Sequence, residues 1–100
     1  MNIRLEQLGD GGFRLKGELD FTTVPAVWRA SLQVFAPEQD IRIDLKNIKR
    51  SDSAGLALLI EWQREAKKAG KSLSYLNMPA QMLAIARASS LDQILPLSRG

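Results

Sequence analysis

The chain has 100 residues, 45% of them hydrophobic, with a formal charge of +3 from 14 basic and 11 acidic side chains. That is enough for one domain over residues 1–100 and too little for two. The absence of cysteine and histidine excludes disulfides, thiol nucleophiles, the usual zinc ligands and the commonest general base, leaving carboxylates, hydroxyls and lysines for any chemistry.

Ile3, Leu5 and Leu8 alternate with polar residues and predict a half-buried strand. Gly9-Asp10-Gly11-Gly12 is a turn, and Phe13, Leu15 and Leu19 resume the period of two, so a hairpin with one wet side follows. At Asp20 the period changes. Asp20, Thr22 or Thr23 can accept from free helix N–H groups, and Pro25 suits a first helical turn. Val24, Val27, Trp28, Ser31, Leu32 and Phe35 then recur at spacings of three and four, predicting an amphipathic helix that Pro37 ends. Trp28 reads as a core-edge residue or as a partner anchor, and the two roles can coexist.

Ile41, Ile43 and Leu45 alternate with Arg42, Asp44 and Lys46, which predicts a strand over Ile41 to Ile48 that Asn47 and Ile48 break. Asp44 faces away from the isoleucines and is expected to pair with a base or to bond the adjoining turn; a catalytic acid role would need a partner. From about Asp52 the pattern is helical. Leu56, Leu59, Ile60, Gln63 and Ala66 form one stripe with Leu58, Trp62, Glu65 and Ala69 beside it, an apolar arc wider than one sheet contact requires. Gly70 is the expected C-cap, and Lys67, Lys68 and Lys71 cluster where a helix dipole favours cations. Leu73, Tyr75 and Leu76 predict a short strand. Asn77-Met78-Pro79 opens an alanine-rich helix through Met82, Leu83, Ile85 and Ala86, ended by Ser89 and Ser90. Pro96 limits the last apolar run, Leu91 to Leu97, to an edge strand, and Ser98 to Gly100 are expected to fray. The predicted order is β-β-α-β-α-β-α-β. Met1 to Gly12 hold no apolar leader, and no run approaches the roughly 18 apolar residues of a spanning helix, so a soluble cytosolic protein is expected.

Function is sought at the strand-to-helix corner Ser51-Asp52-Ser53-Ala54-Gly55, since ligands and partners of open α/β sheets meet the carboxyl ends of strands. Three readings compete there. In the first, Ser51, Asp52 or Ser53 caps the helix and Gly55 permits close packing. In the second, a hydroxyl beside free N–H groups takes a phosphate, or Asp52 holds a metal. A serine nucleophile lacks its histidine, however, and neither a P-loop nor G-x-S-x-G is present. In the third, the polar turn forms the rim of a protein interface, with Leu56, Leu58, Leu59 and Trp62 as apolar anchors.

Gly17-Glu18-Leu19-Asp20 and Asp52-Ser53-Ala54-Gly55-Leu56, at this separation and in this element order, resemble the STAS family (sulfate transporter and anti-sigma-factor antagonist) over almost the whole chain. The resemblance implies an α/β, STAS-like (SpoIIAA-like) fold, a mixed, mainly parallel β-sheet packed with three or four helices. Family antagonists carry D-S-S-G-L, with the second serine phosphorylated by a partner kinase; the matching position here is Ala54, and Ser53 would be the substitute phosphoacceptor. Ser53-Ala54-Gly55 and the run Gly55 to Leu59 are most similar to the MlaB-type subgroup, the STAS subunit of the Mla phospholipid-transport ABC system of Gram-negative bacteria.

That likeness implies a non-enzymatic cytoplasmic subunit without cofactor or metal, peripheral to the inner membrane. Its partner would be an MlaF-like ABC transporter ATPase, itself in complex with a permease, and its role would be to support transport that maintains outer-membrane lipid asymmetry. No nucleic acid or direct small-molecule substrate is implied. The docking surface would be Ser51, Asp52, Ser53, Ala54, Gly55, Leu56, Leu58, Leu59 and Trp62. The alternative is an anti-sigma-factor antagonist that binds a kinase-type anti-sigma factor.

Overall fold

In a computed structural model of the protein, which describes residues 2–98, the predicted hairpin forms from β1 (Ile3–Gly9) and β2 (Gly12–Leu19), paired antiparallel. Its turn takes positive φ at Gly9, Asp10 and Gly11, a region open to glycine and tolerated by aspartate. Helix and strand then alternate: α1 (Val24–Phe35), β3 (Asp40–Ser51), α2 (Ser53–Lys68), β4 (Ser72–Leu76) and α3 (Ala80–Ala88). A 3-10 turn at Leu91–Gln93 leads to the two-residue edge strand β5 (Leu97–Ser98). The sheet order is β1-β2-β3-β4-β5, with every pair after the hairpin parallel. This is the mixed, mainly parallel α/β architecture expected, with three α-helices among the described residues. Ser98 is paired in β5, while the expected fraying at Arg99 and Gly100 falls outside the described residues.

β3 runs three residues past its expected end at Ile48. Between Arg14 and Lys16 on β2 the partner strand advances from Asp44 to Asn47, and between Gly17 and Glu18 from Ile48 to Arg50. Each shift inserts one extra residue in β3, as a β-bulge does. The bulges rephase the inward face from Ile41, Ile43 and Leu45 to Ile48 and Ser51, all buried. A broken alternation in the sequence is thus a continuous strand in the fold, and it carries the chain to the corner at Ser51.

The helices bury one shared core against Phe13, Leu15, Ile41, Ile43, Leu45 and Tyr75. α2 lies centrally, touching α1, α3, β3 and β4. That explains its wide apolar arc: Leu56, Leu58, Leu59, Trp62 and Ala66 are all buried because neighbours cover α2 on several sides. Phe13, Phe35 and Trp62 form an edge-to-face chain across sheet, α1 and α2, with centroid separations of 4.8 and 5.2 Å. Trp62 Nε1 donates to Ser31 Oγ at 2.9 Å, and Ser31 Oγ donates to the Trp28 carbonyl at 2.7 Å. Two expected core residues are instead outside: Leu32 is 55% exposed, rotated away from the buried Val27–Ser31 side of α1, and Leu8 is 50% exposed at the end of β1.

α2 ends as expected on Gly70, at φ +70, with Gly70 N–H donating to Lys67 and Lys71 N–H to Ala66 in a Schellman pattern. The basic cluster divides. Lys68 pairs with Glu65 at 3.4 Å, whereas Lys71 Nζ donates to the carbonyls of Phe35, Ala36 and Glu38 at 2.9, 2.7 and 2.7 Å, closing the C-terminal end of α1. Lys71 therefore caps a neighbouring helix.

Candidate partner-docking site

The corner is built around Asp52. Its backbone is extended, and its Oδ1 accepts Ala54 N–H at 2.9 Å and Gly55 N–H at 3.3 Å, so it is the N-cap of α2. Its Oδ2 accepts the Phe21 N–H at 3.3 Å. One carboxylate thus joins the start of α2 to the β2–α1 turn. The capping reading holds for Asp52.

Ser51 is buried, its N–H donating to Gln81 Oε1 and its hydroxyl to the Asp52 carbonyl, both at 3.2 Å. Gly55 is buried where β2 passes closest. A Cβ there would collide with Ser51 Oγ and lie 2.7 Å from the Leu19 carbonyl oxygen, so close packing explains the glycine. Ser53, the first residue of α2, is exposed; Ala54 is half-buried and Ala57 exposed.

The apolar anchors expected at this surface are not on it. Leu56, Leu58 and Trp62 are each 3% exposed and Leu59 is fully buried. They point into the space between the sheet, α1 and α3, and removing them from water is already achieved by folding. The outward surface of the corner is formed by Ser53, Ala54 and Ala57. Beside it, Val24, Pro25 and the half-buried Trp28 of α1 face Ala54 and Ala57 across a shallow apolar cleft with Leu58 in its floor. Trp28 is half-buried, which fits its expected place at the core edge and leaves part of its surface accessible in the cleft.

Sequence reasoning missed Phe21, 73% exposed in the β2–α1 turn. Asp20 orders that turn: its Oδ1 accepts Thr22 N–H, Thr23 N–H and Thr22 Oγ1–H at 3.0, 3.2 and 2.6 Å. Thr23 Oγ1 accepts Asp20 N–H at 3.0 Å and donates to the Glu18 carbonyl at 2.9 Å. The Thr22 hydroxyl, aided by both N–H groups and the Arg50 charge against partial desolvation, holds the Asp20 carboxyl below its ordinary range. The available signal was an aromatic residue between an aspartate and two threonines, where neither strand nor helix period calls for one.

Asp44 does bond the adjoining turn. Its Oδ1 accepts Lys46 N–H at 3.0 Å and Asn77 Nδ2–H at 3.1 Å. Desolvation pushes its carboxyl up, but those two bonds and the charges of Lys46 and Arg14 outweigh it and leave it lowered. Asp44 is separated from Ser51 by roughly 20 Å of strand, so the fold does not gather Asp44, Asp52 and Ser53 into one constellation. Among the described residues, no group of three or more carboxylates is placed to hold a metal ion, and no helix is long and apolar enough to cross a membrane.

Comparison with known proteins places these features in a family. The anti-sigma-B factor antagonist of Bacillus subtilis (strain 168) is 26% identical over 101 residues, covering 98% of this chain and 93% of that protein. An anti-sigma factor antagonist from Mycobacterium paratuberculosis superposes with a TM-score of 0.78 at 24% identity, over 95% of this chain and 82% of the other. The Bacillus cell fate determinant SpoIIAA in its phosphorylated form gives 0.71 at 20% identity, over 98% and 90%. These structures share the fold described above, the SpoIIAA-like STAS fold. A family model described as "Mlab, STAS domain" matches residues 5–96, a span that takes in both the hairpin with its Gly17-Glu18-Leu19-Asp20 stretch and the Asp52-capped corner, and the chain belongs to the STAS domain family.

Proposed function

We propose that the protein is a non-enzymatic docking subunit that presents its β3–α2 corner to the ATPase of an ABC system moving phospholipids between membranes. In this reading it works in the cytoplasm, peripheral to the inner membrane, where the ATPase is joined to a permease. It supports assembly and activity of the complex, and through it outer-membrane lipid asymmetry. The observation that carries the reading is Ala54. It occupies the place where the antagonists resembled by the sequence carry a phosphorylated serine, so the corner keeps its capped, accessible shape but lacks the hydroxyl of a phosphoswitch. The description of the matching family model, which names Mlab, supports the same subgroup.

Co-expression with the cognate ATPase tests this: a stable complex on size exclusion is expected. Failure of the purified proteins to associate at micromolar concentration would defeat the reading.

A second reading, an anti-sigma-factor antagonist, draws on the names of the relatives, which cover nearly the whole chain and favour it more broadly than they favour transport. Its partner would be a kinase-type anti-sigma factor, and Ser53 would replace Ala54 as phosphoacceptor. Incubation with that kinase and ATP followed by intact mass measurement separates the two. A phosphate adduct lost in Ser53→Ala supports signalling, and absence of both adduct and binding removes it.

A further inference from the structure

Single exposed apolar side chains are common on protein surfaces and need no function. Phe21 differs in how it is held. Its own N–H is bonded to Asp52, the cap of α2, and the flanking Asp20-Thr22-Thr23 turn is closed by the bonds given above. The backbone that carries the ring is therefore fixed relative to Ser53 and Ala54 before any partner arrives, and a preordered aromatic loses little further entropy on binding. The same turn carries a carboxylate whose oxygens are used unequally. Asp20 Oδ1 accepts three bonds, while Oδ2 accepts none among the described residues.

We propose that Phe21 is the aromatic anchor of the docking surface, received by an apolar socket on a protein partner whose rim carries a basic side chain facing Asp20. This rests on the docking reading of the corner and deepens it by assigning the anchor and the partner's chemistry. Charge complementarity selects the rim: among the described residues two carboxylates serve this turn, Asp20 with its free Oδ2 and Asp52 on the Phe21 N–H, against the one cation that acts on Asp20, Arg50, so a basic rim is favoured and an acidic surface opposed. The turn adds to the corner what its buried leucines and Trp62 do not supply, an apolar group accessible from outside.

The test is an equilibrium titration of the purified cognate ATPase, with the cognate anti-sigma factor in parallel, against wild type, F21A, F21L, D20N and S53R, alongside urea unfolding of each. F21A is expected to weaken binding about tenfold or more, in the range of an aromatic hot spot, and F21L by about threefold or less. D20N keeps the Oδ1 acceptor and removes the charge; it should weaken binding and flatten its salt dependence. The unfolding midpoints of F21A and F21L should match wild type, because the ring is mostly in water.

F21A binding within about twofold of wild type, while S53R abolishes it, would overturn the anchor and leave the corner reading standing. Wild type binding neither partner would overturn both. Equal losses in F21A and F21L with lowered midpoints would make Phe21 a folding residue and likewise overturn the proposal, as would a D20N variant with unchanged affinity and salt dependence.

Discussion

Two corners of this fold have the same topology and different chemistry. Both lead from the carboxyl end of a parallel strand into a helix. After β3, Asp52 caps α2 with its side chain and reaches across to the β2–α1 turn. After β4, Asn77 takes φ +57 and Pro79 opens α3 with no side-chain cap. Turning the chain therefore requires neither a carboxylate nor an exposed serine. At the second corner α3 begins with Ala80, and Gln81 turns back to the Ser51 N–H. The first corner retains outward groups, Ser53 and the nearby Phe21, that the turn itself does not consume, and there we place function.

The contrast can be broken first at Trp62. Trp62→Ala is expected to lower the unfolding free energy by about 4 kcal/mol in urea titration, because the ring fills the space between α1, α2 and the sheet. A variant of unchanged stability that lost only partner binding would return Trp62 to the surface. Gly55→Ala comes next, at about 3 kcal/mol, from collision with the Leu19 carbonyl and Ser51. Its counterpart control, Ala80→Ser at the exposed start of α3, should stay within about 0.5 kcal/mol. Equal effects at the two sites would erase the difference between the corners.

Asp52→Ala removes the cap and the Phe21 bond together and should cost about 1.5 kcal/mol by thermal or urea unfolding. Pro79→Ala, which acts mainly through unfolded-chain entropy, should cost about 0.5 kcal/mol.

The last effect depends on alkaline pH. Tyr75 of β4 donates its hydroxyl to the Leu59 carbonyl of α2 at 2.6 Å, and burial pushes its phenol well above the ordinary 10.0. The unfolded chain releases that proton near pH 10 while the folded chain retains it, so stability is full below about pH 10 and falls as pH rises beyond it. Tyr75→Phe should cost about 1 kcal/mol at neutral pH and show a shallower decline above pH 10 in parallel urea titrations. Identical slopes would contradict the buried phenol.

Much of this fold is legible in the sequence where one period holds. The Ile41-Ile43-Leu45 alternation and the three-and-four spacing of α1 and α2 give the element order, and Gly70 marks a helix end. The end of β3 is not legible, because bulges depend on the pairing partner β2 and leave only a broken period behind. The β3–α2 corner was legible as a structural feature, but which of its side chains face outward was not. Asp52 and Gly55 follow from local capping and packing chemistry. Which leucines of α2 face outward depends on α1 and α3 closing over them, a tertiary fact that a single helix pattern does not contain. Phe21 belongs to no period, so its exposure is decided by the Asp20 turn and the bond to Asp52.

The central claim, that the β3–α2 corner is a docking surface, is tested most directly by isothermal titration of the cognate ATPase with wild type and Ser53→Arg. Ser53 is exposed at the first position of α2, so the variant should unfold within about 0.5 kcal/mol of wild type. The account predicts a wild-type complex and at least about a tenfold loss of affinity in the variant. Equal affinity of a folded Ser53→Arg would contradict it.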